Sequence, residues 1–131
     1  MAFLNLFGNK IRAKDVYFQN GNALDTSSQW IEVGSTNAGV TKTFTVDTDK
    51  WNECLIVCGE NGGSVGHYRV LASTVVPKAM FNVGKDEVDG MHQAMQYSSA
   101  SAIFKAGISF ISTTQVKVYV SSIAVARLYY R

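Results

Sequence analysis

Two cysteines, Cys54 and Cys58, carry the most distinctive chemistry in this 131-residue chain. On a helix, their spacing would place the two thiols side by side. On a strand they share a face but stand about 13 Å apart, at ~3.3 Å per residue, whereas a disulfide needs Cα atoms within roughly 7 Å. A zinc site needs four ligands, and nothing nearby supplies the other two. We therefore expect two buried, unreactive thiols, because free cysteines are among the most buried residues.

The two histidines, His67 and His92, are the next candidates for catalysis. No base–nucleophile pair can be assigned to either of them, so each is better explained as a surface or hydrogen-bonded residue. The glycine-rich stretch 59–63 lacks the Lys-Ser/Thr that follows a phosphate-binding loop. Neither feature predicts an enzyme or a cofactor site.

Two groups of carboxylates could bind a metal or hydrolyse a sugar. Asp86, Glu87 and Asp89 share one turn, and paired carboxylates act on glycosidic bonds across about 5–10 Å. A charged surface turn is the simpler explanation. Asp47 and Asp49 lack the glycine and the further acidic ligands of a calcium loop. The sequence thus predicts a protein that is not an enzyme and that has no metal site.

Aromatic side chains are the remaining candidates for a binding surface, because they dominate contact energetics. Tyr68 and Tyr97 are our candidate contacts with a surface or a glycan. The alternative is that most aromatic side chains fill a core. The aromatic residues concerned are Trp30, Trp51, Tyr68, Tyr97, Tyr119, Tyr129 and Tyr130.

The segment that must position these residues most firmly is the C-terminal stretch 115–131. Val116, Val118 and Val120 alternate with polar residues, which is the period-two pattern of a half-buried strand. From residue 123 the alternation resumes with apolar residues on both faces, as expected of a strand covered on two sides. The C-terminus is therefore predicted to lie within a sheet.

The preceding residues read as successive strands separated by turns about every 8–12 residues, the spacing of an all-β sandwich or barrel. Pro77, the only proline, cannot donate to a ladder and marks an edge or a crossing. We predict an antiparallel β-sandwich, jelly-roll-like, over residues 29–131, preceded by an arm at residues 1–28. The predicted strands before the C-terminal pair are 29–33, 40–46, 53–58, 66–73, 78–83, 91–98, 102–105 and 108–112, with a loop at 59–63.

Composition restricts the class of partner. Apolar residues make up 47% of the chain and charged residues only 17%, below the roughly 25% of an average domain. This low charge favours a sheet-rich body or a large subunit contact. A net charge of +2 with scattered basic residues argues against nucleic acid. No run approaches the ~18 apolar residues of a membrane span, and the start of the chain does not resemble a signal peptide, so we expect synthesis in a cytoplasm.

The predicted arm contains an apolar cluster formed by Phe3, Leu4, Leu6 and Phe7. These side chains have too few neighbours in sequence to form a core of their own. Docking on a partner subunit would bury them, at about 1.5–3 kcal/mol for each large side chain. The alternative is that they fold back onto the sandwich.

Several segments together resemble a recurrent C-terminal domain of bacteriophage and prophage tail, baseplate and fibre proteins. They are Trp-Ile-Glu-Val-Gly at 30–34, Trp-Asn-Glu-Cys-Leu-Ile-Val at 51–57, the Ser- and Tyr-rich stretch 96–101 and the ending Tyr-Tyr-Arg at 129–131. The resemblance covers residues 29–131. It implies a β-sandwich head, commonly a homotrimer, that is exposed on the virion and meets a host surface, and it carries over no catalytic residues.

This chain departs from such proteins in having a 28-residue arm where a fibre shaft would be. The departure favours a small, separately encoded adhesin or a decoration of capsid or tail. We expect a virion structural protein whose partners are other virion proteins and a host-cell glycan or protein. A free carbohydrate-binding module that uses Tyr68 or Tyr97 is the alternative, and a hydrolase is the weakest hypothesis.

Overall fold

The computed structural model describes residues 29–62, 67–99 and 102–131, and eight strands lie within them. In chain order the strands are β1 Ile31–Thr36, β2 Lys42–Thr45, β3 Glu53–Gly62, β4 His67–Pro77, β5 His92–Ser99, β6 Ala102–Ser112, β7 Gln115–Val120 and β8 Val125–Tyr130. Two short 3-10 helices, Thr48–Lys50 and Lys78–Met80, follow β2 and β4.

The strands form two four-stranded sheets that pack against each other. The first sheet has the order β1-β8-β3-β4 and the second has the order β2-β7-β6-β5, and the pairings in both are antiparallel. The prediction of an all-β antiparallel sandwich is therefore confirmed. β1 pairs with β8 and β2 with β7, as in a jelly roll, whereas β3–β4 and β5–β6–β7 pair with their neighbours in sequence.

The core lies between the sheets and follows the alternation of the strands. On β7, Val116 and Val118 are buried, while Lys117 between them lies on the other face. Completely buried residues from both sheets meet in this core, namely Ile56 and Leu128 from the first sheet and Ile108 and Phe110 from the second. Two-sheet burial of this kind is what a chain of this size needs to fold without covalent staples.

The C-terminal strand β8 occupies an inner position of the first sheet, between β1 and β3. Ala126 and Leu128 are completely buried. The backbone of Arg131 continues the pairing, since its N–H donates to the carbonyl of Glu53 at 3.1 Å and its own carbonyl accepts from Asn52 at 2.9 Å. The predicted place of the C-terminus within a sheet is confirmed.

Three local predictions were wrong. Residues 59–62, predicted as a loop, continue β3, and residues 102–112, predicted as two strands, form the single strand β6. Residues 78–83, predicted as a strand, begin instead with a 3-10 helix. Glycine is the common cause in the first two cases, because a neighbouring ring or backbone occupies the space that a side chain would need at Gly59 and Gly107.

The edge role predicted for Pro77 is confirmed. It is the last residue of β4, which is an outer strand of the first sheet. At that position the missing N–H removes no ladder hydrogen bond from an inner strand. The chain then crosses to β5 at the edge of the second sheet, where the Thr74 hydroxyl donates to the carbonyl of Gln93 at 2.6 Å.

The predicted arm, residues 1–28, lies outside the described residues, and with it the candidate docking residues Phe3, Leu4, Leu6 and Phe7. Within the described part of the chain, no helix has the length and apolar character needed to span a membrane.

Candidate binding site

The outer face of the first sheet, which points away from the core, carries Arg127 and Tyr129. They alternate along β8 with the buried Ala126 and Leu128. Because side chains of one strand alternate between faces, both must point outward. Tyr68 reaches the same face from β4, as its contact with Arg127 demonstrates. Two separate strands thus bring an arginine and a tyrosine together.

The ring of Tyr68 is seated over Gly59. A Cβ atom at this glycine would stand 2.5 Å from Cζ of Tyr68, so only glycine leaves room for the ring. The Tyr68 hydroxyl donates to the carbonyl oxygen of Val57 at 3.1 Å. Burial is the main cause that raises the pKa of Tyr68 to about 12. The ring is therefore held in place, and its hydroxyl stays protonated at neutral pH.

Arg127 packs against the Tyr68 ring. Its guanidinium carbon lies 4.2 Å from the centre of the Tyr68 ring, within the range of a cation–π interaction. A side-chain hydrogen bond with Tyr129 is the first cause of the raised pKa of Arg127, and Glu32 contributes through its charge. None of the ion pairs found among the described residues includes Arg127. The guanidinium is positioned by aromatic groups rather than by a carboxylate.

A small crevice of about 80 Å³ adjoins this pair. Its lining consists of Ser35, Thr36, Asn37, Tyr68, Val125, Ala126 and Arg127, and most of the exposed lining surface is polar. Thr36 is only 5% exposed, and its hydroxyl has no hydrogen-bond partner among the described residues. Such an unpaired buried hydroxyl is uncommon in proteins.

A larger cleft of about 270 Å³ lies elsewhere and is lined by Val33, Thr45, Val46, Asp47, Lys50, Trp51 and Tyr130. Its charged groups are already matched, since Lys50 and Asp47 form an ion pair at 3.3 Å. Trp51 is 3% exposed and stacks on Tyr130 with ring centres 5.0 Å apart. The cleft therefore exposes the side of a packed core, whereas the arginine of the smaller crevice forms no ion pair with any described residue.

The two cysteines are free and completely buried, as expected. Burial raises the pKa of Cys54 to about 12 and that of Cys58 to about 11. Since the thiolate is the reactive form, neither residue can serve as a nucleophile near neutral pH.

The acidic turn is used structurally. Asp86 pairs with Lys117 and accepts a hydrogen bond from Tyr119, and Asp89 pairs with Lys105 at 3.1 Å. These contacts hold residues 84–90, which we name the covering loop, against the outer face of the second sheet. The interpretation as a charged surface turn therefore fits the structure, with the addition that the turn covers Gly107 and the completely buried Ser109.

The histidines take different positions. His92 packs with its ring edge toward Phe110, 6.0 Å between ring centres, and its buried Nε2 atom has no partner among the described residues. The expectation of a surface or hydrogen-bonded residue is therefore wrong for this ring nitrogen. His67 begins β4.

The chain between β3 and β4 has the sequence Gly-x-Ser-x-Gly at residues 62–66. A nucleophile elbow places this sequence at a sharp turn from a strand into a helix. Here the elements on either side are two antiparallel strands, Glu53–Gly62 and His67–Pro77. The described elements that flank this sequence therefore differ from those of an elbow.

The two candidate glycan contacts are not brought together. Tyr68 is half-buried in the first sheet, whereas Tyr97 is 67% exposed on β5 at the edge of the second sheet. Sequence reasoning missed Arg127 and Ser35, which face each other across β8 and β1. A charged residue within an otherwise apolar inner strand was the available signal for Arg127, since charges are seldom buried without a purpose.

Among the described residues, no cluster of three or more His, Cys, Asp or Glu side chains could hold a metal ion. Comparison of the chain with protein-family models, with curated proteins and with solved structures gave no match.

Proposed function

We propose that this chain is a non-enzymatic structural protein of a bacteriophage virion. It is a small β-sandwich head displayed on tail, fibre or capsid, and it mediates attachment to a host surface or interaction between subunits. The resemblance of residues 29–131 to phage head domains supports this proposal, as does the sandwich formed by the described part of that segment.

The observation that carries the binding role is the pair formed by Arg127 and Tyr68 beside the polar crevice. An arginine that stacks on a tyrosine and forms no ion pair with any described residue is available to a ligand. Among the described residues, the lining of the crevice includes no histidine, cysteine or carboxylate. Such a set of groups can bind a ligand, but it offers no general base.

Attachment to the virion is assigned to residues 1–28, and above all to Phe3, Leu4, Leu6 and Phe7. Deleting residues 2–14 should abolish incorporation of the protein into particles and leave a soluble, folded body. Particle-associated protein is measured by immunoblot after gradient purification, with circular dichroism of the purified variant as the folding control. Unchanged incorporation would refute the assigned role of the arm.

The assembly is proposed to be a homotrimer. Light scattering of the purified protein should give three times the chain mass of 14.3 kDa. A monomer at micromolar concentration would contradict the head-domain proposal, because such heads are commonly trimeric.

A free carbohydrate-binding module is the second candidate, and the exposed side chains of β5 favour it. Tyr97 is 67% exposed, and Met95 on the same face is 40% exposed. Exposed aromatic rings stack on sugars in many binding sites. A glycan array should then show binding that Tyr97→Ala removes, and protein that is never found in particles would favour this module over the virion proposal.

A further inference from the structure

We infer that the crevice beside Arg127 binds a carboxylate group, and that the natural ligand is an acidic sugar of the hexuronate class. The choice of a surface glycan as the source rests on the proposed function. Recognition of the carboxylate rests on the crevice alone.

Arg127 supplies the recognition. A guanidinium matches a carboxylate with two parallel N–H···O hydrogen bonds. Here the group is already oriented by the Tyr68 ring at 4.2 Å. Side-chain freedom that is lost before binding does not oppose binding, so the arginine is pre-organised for an anion.

Ser35 supplies a second donor. It lies directly opposite Arg127 in the β1–β8 register, is exposed, and lines the same crevice. Directly opposed residues share a face of the sheet, so a carboxylate oxygen beside the guanidinium can also accept from the Ser35 hydroxyl. Two donors from different strands, β1 and β8, would then hold one ligand group.

The size of the crevice suits a small group. About 80 Å³ has room for a carboxylate and a few ordered waters. Asn37 provides an amide group that suits the hydroxyls of a sugar, and the polar lining gives an apolar peptide side chain little to contact.

Glu32 opposes anion binding. It pairs with Tyr129 across β1 and β8, and its charge acts on Arg127, although the two do not form an ion pair. Removal of this negative charge should strengthen the binding of a carboxylate. A purely structural role for Arg127 predicts no such gain.

The test is a titration of the ¹⁵N-labelled full chain with glucuronate, with glucose as the neutral match. Glucuronate should shift amide signals at residues 35–37 and 125–127, and glucose should not. Arg127→Lys keeps the positive charge but loses the paired N–H donors of the guanidinium, and should weaken binding at least about tenfold. Ser35→Ala removes only the hydroxyl and should weaken it about threefold or more, while Glu32→Gln should tighten it.

Arg69→Lys is the matched control, because Arg69 lies on β4 as Tyr68 does but pairs with Glu60. Its affinity should equal that of the wild type, and thermal unfolding verifies that each variant is folded. Wild-type binding by both Arg127→Lys and Ser35→Ala, or equal binding of glucose, would overturn the inference. Equal binding of acetate, phosphate or an acidic peptide would overturn the assignment to a sugar.

The proposed function and this inference fail separately. Protein that is absent from virions but binds glucuronate through Arg127 would refute the virion role and support the carboxylate site. Virion protein that does not bind glucuronate would refute the site alone.

Discussion

Single atoms decide the geometry of the Tyr68 site. The ring lies over Gly59 because that residue has no Cβ, and the ring in turn supports the guanidinium of Arg127. The alternation pattern of β3 and β4 predicts the faces of these residues but not this contact. Glycine in a strand often marks the close approach of another group, and here the group is the ring that positions the candidate ligand-binding arginine.

Gly59→Ala should destabilise the protein and displace Tyr68. The new Cβ would stand 2.5 Å from Cζ of the ring and 2.6 Å from the backbone oxygen of Arg69, so we expect a loss of about 1–3 kcal/mol, as for other overpacked sites. Urea unfolding measures the change. Ser73→Ala, at an exposed position on β4, is the control and should stay within about 0.5 kcal/mol. Equal stability of the two variants would contradict the close packing of the Tyr68 ring on Gly59.

The buried thiols predict a loss of stability in alkali. The pKa of Cys54 is raised from 9.0 to about 12 and that of Cys58 from 9.0 to about 11. Above pH 9.0 the unfolded chain loses thiol protons that the folded chain retains, so the free energy of unfolding falls as pH rises toward these values. Denaturant titrations at increasing pH measure this slope.

Cys58→Ala should make that alkaline slope shallower, since one of the two raised thiols is gone. The native thiols should also resist an aromatic disulfide reagent at mildly alkaline pH and react once the protein is unfolded. Rapid labelling of the native protein would be inconsistent with the complete burial of both residues.

At the scale of elements, the covering loop shields the outer face of β6, and ion pairs rather than strand pairing hold most of it there. The outer face of β6 would expose Gly107 and Ser109, but the loop lies over them and both are buried. Backbone hydrogen bonds tie its first residue, Gly84, to Phe110 and the residue that follows it, Met91, to Ile108, both at 2.8 Å. Between these ends, ion pairs with lysines of the sheet hold the loop.

Asp86→Asn should loosen the covering loop and leave its ends in place. Hydrogen bonds from Lys117 and then from Tyr119 lower the pKa of Asp86 below its ordinary value of 3.8. The stabilising contribution is therefore present above pH 3.8 and is lost as pH falls through the folded-state pKa. Hydrogen exchange at the Glu87 amide, which donates to Ser109 Oγ, should accelerate in the variant and in the acidified wild type.

The exposed ion pair of Asp49 with Lys78, at 3.9 Å, provides the control for this experiment. Asp49→Asn should leave exchange in the covering loop unchanged, because exposed pairs contribute little. Equal protection of the Glu87 amide in Asp86→Asn and in the wild type would disprove the role assigned to the carboxylate.

At the scale of the whole molecule, residues 125–131 complete the first sheet. β8 lies between β1 and β3, so strands near both termini of the described sandwich meet within one sheet. Arg131 is also held by Glu53, through an ion pair and through backbone hydrogen bonds in both directions. Contacts between residues far apart in sequence slow folding, which places this domain among the slower β folds.

Removing residues 129–131 should destabilise the whole domain. The truncation deletes the stack of Tyr130 on Trp51 and three backbone hydrogen bonds made by Arg131. A half-buried aromatic and these bonds together contribute several kcal/mol, a large part of the roughly 5–15 kcal/mol of a typical domain. Thermal unfolding measures the loss. Arg131→Ala, which keeps the backbone hydrogen bonds, should lose less, and equal losses would argue against the role of the backbone.

The fold class was predictable from the sequence because alternation and turn spacing are local properties. The pattern of Val116, Val118 and Val120 determines which face of β7 is buried, whatever its partners are. The strand predicted over residues 91–98 is likewise confirmed, as β5. Predictions failed where a neighbour distant in sequence decides the conformation, as at residues 59–62.

The sequence by itself determined that this protein is an antiparallel sandwich with its C-terminus inside a sheet and its cysteines buried. Only the tertiary structure decided which polar groups meet. Ser35, Thr36, Tyr68 and Arg127 come from three strands, and the strand order β1-β8-β3-β4 brings them to one crevice. The physical reason is that periodicity specifies the face of a side chain, whereas cross-strand pairing specifies its neighbours.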